Sequence, residues 1–224
     1  MAWSKRQVLH MNAIKPFIIT ATKLAAFAGS AAVLLYVIYQ FAQPVQQQNQ
    51  QKALLLQLNT LVAAEHYNNA LTQDKLTLSI PALSAKKPVT IYRARKDQQP
   101  VASLLTVTAH NGYSGDIHLL VGIWADNRLA GVRILAHKET PGLGDYIEAE
   151  RDEWIHQFRD KSYQTTPQSR WKVKKDGGDF SYRTGATITP RAIVSTVEKT
   201  LAWVSQHQDE VYAPLATPSS GGQP

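Results

Sequence analysis

Residues 24–42, LAAFAGSAAVLLYVIYQFA, carry no charged side chain, and Phe17-Ile18-Ile19 extends the apolar stretch upstream. At 1.5 Å per residue, a helix of this length reaches about 28 Å, close to the thickness of a bilayer's hydrocarbon core. The stretch is therefore expected to be a transmembrane helix, assigned to residues 17–42. A core helix of a soluble domain is rarely so long, and Gln40-Phe41-Ala42 lacks the paired small residues of a signal-peptide cleavage site.

The charges around the span orient it. Lys5, Arg6, Lys15 and Lys23 precede it without an acid, whereas its C-terminal flank, Gln43-Pro44-Val45-Gln46-Gln47-Gln48, has only Lys52 nearby. The positive-inside rule then keeps residues 1–16 in the cytoplasm and sends residues 44–224 outward, into the periplasm of a bacterium with two membranes. The same four cations account for much of the net charge of +7. Beyond them acids and bases interleave, as on a solvated surface, and no basic stripe or recognition motif supports nucleic-acid binding. With no cysteine in the chain, disulfides, thiolate metal sites, iron–sulfur ligation and a cysteine nucleophile are excluded, so any redox chemistry requires a bound cofactor.

After the span, residues 43–88 read as a juxtamembrane helix and linker. A Gln/Asn-rich exit leads into Leu54, Leu55, Leu58, Leu61 and Val62 at helical spacing, a stripe suited to packing. From residue 89 the pattern turns to β-rich runs, Val89–Arg93, Val101–Thr108, Ile117–Ile123 and Leu129–Leu135. Turn signals at Asn111-Gly112, Ser114-Gly115 and Asp126-Asn127 separate them and predict an antiparallel sheet. Ile147, Trp154, Ile155 and Phe158 recur with helical period, and Trp171–Lys174 reads as a returning strand. A last amphipathic helix begins at Thr189-Pro190, with Thr189 as its cap, and runs through Ile193, Val197, Leu201 and Val204. The fold class is thus α+β: one N-terminal transmembrane helix, then a domain over residues 89–210 with an antiparallel sheet and flanking helices. Residues 211–224 form a tail expected to be disordered from its Pro, Ser and Gly content.

Two segments carry candidate chemistry. In Tyr182-Arg183-Thr184-Gly185-Ala186-Thr187-Ile188-Thr189-Pro190, small residues and hydroxyls directly precede a helix, whose free N-terminal amides favour an anion such as phosphate. A plain loop ending in a helix cap explains the same letters. The second segment, His137-Lys138-Glu139-Thr140-Pro141-Gly142-Leu143-Gly144-Asp145, follows a strand. Its Pro and two Gly make a closely approachable loop, with Glu139 and Thr140 offering hydrogen-bonding groups to a planar ligand. Alone, it too reads as a turn.

Together, in this order behind one N-terminal helix, the Glu-Thr-Pro-Gly-Leu-Gly and Thr-Gly-Ala-Thr strings resemble the FMN-binding domain shared by two proteins. These are the G-subunit of the Rnf (Rsx) electron-transport complex and the C-subunit of the sodium-translocating NADH:quinone reductase. The short chain, and Lys174-Lys175-Asp176-Gly177-Gly178-Asp179-Phe180 leading into Thr-Gly-Ala-Thr-Ile-Thr-Pro-Arg, favour the Rnf protein. The resemblance implies a periplasmic electron carrier of the bacterial inner membrane. It further implies that a flavin transferase moves FMN from FAD onto Thr187, forming a phosphoester with the threonine side chain. Thr184, Gly185 and Ala186 would complete the recognised loop, and Glu139, Thr140, Leu143 and Gly144 would line the flavin. Implied partners are subunits A, B, C, D and E of the complex. Members commonly carry an acid six residues before the modified threonine; here Ser181 stands there, with Asp179 close but out of register.

Other readings rank lower. His110, His118 and His137 are dispersed without metal-ligand spacing, and no Gly-x-Ser-x-Gly elbow supports a hydrolase. His137 is expected to be structural or adjacent to the flavin. The run Arg93-Ala94-Arg95-Lys96 is expected at a solvated edge, and Tyr113 is expected in the core, with a place beside the flavin as its alternative. The rival from a different class is a membrane-tethered assembly module with no flavin attached.

Overall fold

In the computed structural model, residues 4–85 and 87–214 are described; the tail from 215 to 224 lies outside them. The chain divides into two compact units, residues 1–53 and 54–224. Helix α1 (Ser4–Asn59) supplies all of the described part of the first unit and opens the second. Within it, Leu24, Phe27, Val33, Leu34, Leu35, Ile38 and Phe41 are all exposed. A helix that is apolar around its circumference and covered by no protein is suited to lipid. The stretch from Thr20 onward is long and apolar enough to cross a membrane.

The second unit is built on a five-stranded antiparallel meander, β1 (Lys75–Leu78), β2 (Val89–Lys96), β3 (Gln99–Ala109), β4 (Ile117–Trp124) and β5 (Leu129–Ala136), in sequential order. The four β-rich runs of the sequence are β2 to β5. β1 is an addition, inside the stretch read as linker: its four residues are half exposed at the sheet edge, too short to give a periodic signal.

Side chains alternate between two cores, as the pleat requires. Ile91, Leu105, Val107, Leu119 and Val121 face one core, which also holds Ile193, Val197, Leu201 and Val204 of helix α2 (Ile188–Gln206). Ala94, Leu104 and Leu120 face the other, where Leu58, Leu61 and Val62 pack, so the leucine stripe is a packing face. Gly122 and Gly131 pair across β4 and β5. A β-carbon at either would meet the Leu61 side chain at 3.1–3.4 Å, so the glycine pair is a notch that admits Leu61.

Between β5 and α2 the chain forms short 3-10 turns, Asp145–Ile147, Glu153–Phe158, Gln168–Arg170 and Lys174–Asp176, instead of the expected helix and strand. Trp154, Ile155 and Phe158 are nonetheless buried, packing with Tyr146, Trp171 and Phe180 in a chain of aromatic contacts. Of the expected strand at Trp171–Lys174, one bridge remains, Val173 to Phe180. A four-residue helix α3, Gln208–Val211, follows α2.

Arg93 and Arg95 are not at a solvated edge. Both are buried on β2, and the Asp74 carboxylate, itself 4% exposed, accepts from Arg93 Nε at 2.6 Å and from Arg95 Nε at 3.0 Å. Arg93 Nη1 donates to the Ala213 carbonyl and Arg95 Nη2 to those of Tyr212 and Ala213, at 2.8–3.0 Å, fastening the end of the described chain to the sheet. Asp74→Ala would leave two buried guanidiniums without their counter-charge, an expected loss of roughly 3–5 kcal/mol in chemical denaturation. A loss within the range of an ordinary surface substitution would show that the cluster is solvated.

Candidate functional site

The two sequence segments meet at one cleft. Its walls are two turns, each closed by a backbone bond: Leu143 N–H donates to Thr140 O at 3.1 Å, and Ala186 N–H donates to Arg183 O at 3.1 Å. Gly142 (φ 78°) and Gly185 (φ 89°) occupy the third position of each, the left-handed residue of a type II turn, with Pro141 in the position that favours proline. The cleft, about 110 Å³, is lined by Glu139, Thr140, Leu143, Gly144, Gly185, Ala186 and Thr187, joined by Tyr113, Ile188 and Thr189. Thr184, at the exposed tip of its turn, does not line it.

Glu139 ties the walls together. It is 4% exposed; Oε1 accepts from Ser114 N–H at 3.0 Å and Oε2 from the Thr189 hydroxyl at 2.5 Å. Glycines allow the fit. A β-carbon on Gly144 would stand 3.0 Å from Glu139 Oε2, and one on Gly112 would stand 2.9 Å from Oε1. Behind it, Glu139 N–H donates to His137 Nδ1 at 2.9 Å, which leaves His137 Nε2 to donate to Glu148 at 2.7 Å. His137 is therefore structural.

Thr189 does not cap helix α2. The helix begins one residue earlier, at Ile188, and Thr189 spends its hydroxyl on Glu139. Thr187 stands at the cap position, yet its hydroxyl makes no capping bond, and the first turn holds no acid. The Ile188 and Thr189 amides, at the start of the helix, have no intrahelical acceptor, so a half-buried hydroxyl lies beside donors suited to an anion.

The loop leading to Thr187 is held from beneath. The buried Tyr146 phenol accepts from Arg183 N–H at 3.4 Å and donates to Ala186 O at 3.3 Å; burial raises its pKa and keeps it neutral. Arg183 lies over the Tyr146 ring and pairs with Asp152. Ser181 donates both its amide and its hydroxyl to Gln157 Oε1, at 2.8 and 3.0 Å, while Asp179 pairs with Arg170 at 2.8 Å. Asp179 is thus engaged with Arg170 and not with the Ser181 and Gln157 pair.

Sequence reasoning misses two lining residues, Ile188 and Thr189, and of its two readings of Tyr113 favours the core. Tyr113 is 67% exposed at the rim, not in the core, and Ile188 is 45% exposed beside it. The available signals are the glycine-flanked turn around Tyr113 and the apolar residue following Thr187. Thr189 reads as a cap because a Thr-Pro pair is locally ambiguous.

Comparison with known proteins decides the family. A family described as an FMN-binding domain matches residues 112–202, a span opening at the Tyr113 turn and including both cleft walls. The chain is 40% identical over 189 residues to the G-subunit of the ion-translocating oxidoreductase complex of Vibrio cholerae, covering 84% of this chain and 90% of that one. Its identity to the Escherichia coli G-subunit is 44% over 179 residues, 79% of this chain and 85% of the relative. For the Shewanella oneidensis G-subunit it is 39% over 199 residues, 88% and 94%. The chain belongs to this G-subunit family. The cleft lies inside the region matched to the FMN-binding domain.

Two carboxylates at the Asp145–Ile147 3-10 turn, Asp145 and Glu148, are held below their ordinary values. Glu148 is held below its ordinary value of 4.5 first by the His137 bond and then by Arg151. Asp145 is lowered from 3.8, chiefly by the Gly142 N–H, with Arg151 also contributing. Depressed carboxylates stabilise the fold fully above their unfolded values, and that stability is lost as pH falls through the folded ones. Thermal unfolding midpoints should therefore drop below about pH 4.5, and Glu148→Gln should make that decline shallower; an unchanged acid limb would count against the network. Glu139→Ala, which orphans Ser114 N–H and the Thr189 hydroxyl, should cost roughly 1–3 kcal/mol more than Glu139→Gln, read by denaturant unfolding. Equal losses would remove Glu139 as the tie.

Proposed function

We propose that this chain is the membrane-anchored electron carrier of a bacterial inner-membrane complex that couples electron transfer to ion translocation, with FMN joined through its phosphate to Thr187. Residues 1–16 lie in the cytoplasm, 17–42 span the membrane, and the domain carrying the cleft faces the periplasm. Subunits A, B, C, D and E of the Rnf complex are its partners, and a flavin transferase matures it.

The observation that carries this reading is the Thr187 hydroxyl, uncapped at the head of α2 and lining the cleft. Attachment forms a bond from Thr187 Oγ1 to the FMN phosphorus of FAD and breaks the pyrophosphate bond, with AMP leaving and the hydroxyl proton passing to solvent or a base of the transferase. The free amides at the head of α2 would then stand near the phosphate, and Gly185, with open space where a β-carbon would stand, would let it approach closely.

The lining suits the group in chemistry: the cleft of about 110 Å³ would take part of a ring system, and Leu143 and Ile188 would offer apolar contact at its rim. A flavin so held supplies one- and two-electron exchange, while the protein supplies position and electrostatics.

Co-expressed with flavin transferase and run on a denaturing gel, the protein should fluoresce under ultraviolet light and carry the mass of one FMN adduct. Thr187→Ala should lose both signals yet unfold within about 0.5 kcal/mol of the parent, since no capping bond is removed. An adduct kept by Thr187→Ala and lost by Thr184→Ala would reassign the residue. A parent protein without an adduct would favour the assembly-module reading.

A further inference from the structure

Outside the first unit, the exposed large hydrophobic side chains among the described residues are Leu56, Tyr113, Leu143 and Ile188, and the last three ring the cleft. Exposed apolar side chains gathered at one opening mark a surface that a ligand covers. Leu143 and Ile188 belong to the walls themselves. Tyr113 comes from elsewhere in the fold, the connection between β3 and β4.

That connection is braced although its tip is exposed. Ser114 N–H is anchored on Glu139 Oε1, and the Gly112 backbone lies so close to Glu139 and the Gly115 carbonyl that a side chain there would collide. At its base, His110 Nδ1 and Asp116 Oδ1 are 3.1 Å apart, and Thr108 and His118 pair at 3.1 Å. The carboxylate that joins the cleft walls therefore also fixes the backbone on which Tyr113 rides. Three apolar contacts are held in register around one opening.

Resting on the reading that Thr187 carries FMN, we propose that Tyr113 is the side chain that covers the ring of that flavin, stacking on the face left open by the cleft. The cleft, at about 110 Å³, is too small to enclose a whole flavin ring system, so a ring would stay open on the side where Tyr113 stands exposed at the rim. An aromatic ring offers offset stacking that an aliphatic side chain does not. A phenol in contact with a flavin also quenches its emission by donating an electron to the excited state, which gives the stacking an optical signature. The function of Tyr113 is to shield the flavin from water and small solutes while leaving attachment to Thr187 untouched.

The test uses full-length protein carrying one FMN per chain by mass, as parent, Tyr113→Ala and Tyr113→Phe. Flavin emission per adduct and its collisional quenching by iodide are measured for each. The parent should be dim and poorly accessible to iodide. Tyr113→Ala should be several-fold brighter and markedly more accessible, and Tyr113→Phe, which keeps the ring, should stay shielded from iodide. An alanine variant with the parent's emission and iodide accessibility would overturn the role of Tyr113 and leave attachment standing. A parent without an adduct would overturn both.

Discussion

A single buried carboxylate organises the cleft. Glu139 accepts the Ser114 amide on one oxygen and the Thr189 hydroxyl on the other, so the β3–β4 turn, the loop after β5 and the first turn of α2 converge on one group. A buried carboxylate without donors would be costly and would tend to neutralise; with two donors it becomes a joint. The joint demands backbone without side chains around it, which Gly112 and Gly144 supply. It also takes the Thr189 hydroxyl away from helix capping, leaving Thr187 at the helix head with an unspent one.

The sheet gives this joint a fixed frame. α2 packs along one face through Ile193, Val197, Leu201 and Val204, while the other face is closed by Leu58, Leu61 and Val62, with Leu61 at the notch of Gly122 and Gly131. Both cleft walls are therefore extensions of packed elements. Their turns use positive-φ glycines where a side chain would be strained, an arrangement that holds a small opening without filling it. The Asp74, Arg93 and Arg95 cluster does a comparable job at another place, fastening residues 212 and 213 to β2.

Much of this is legible in the sequence because it rests on repetition. Alternation marks β2 to β5, helical period marks α2 and the leucine stripe, and the glycine-bearing loops announce both walls. What escapes detection rests on pairings between distant residues. Arg93 and Arg95 look solvated until Asp74, about twenty residues earlier, is placed against them. Thr189 looks like a cap because its competitor, Glu139, lies 50 positions away. The helical period of Trp154 and Phe158 is real as burial but not as helix, since 3-10 turns place the same side chains inward. Tyr113 reads first as core, because aromatic residues usually are, and second as a flavin neighbour; it stands exposed at the cleft rim.

Membership in the G-subunit family and the geometry of the cleft meet at Thr187, and the most direct test is to locate the flavin on the chain. Cleavage after Arg183 and Arg191 releases Thr184–Arg191, which contains Thr184, Thr187 and Thr189. Fragment-ion mass spectrometry of that peptide should place one FMN phosphoester on Thr187, with Thr184 and Thr189 unmodified. A flavin on either neighbour, or an unmodified peptide from protein matured with the transferase, would contradict the role assigned to the uncapped hydroxyl.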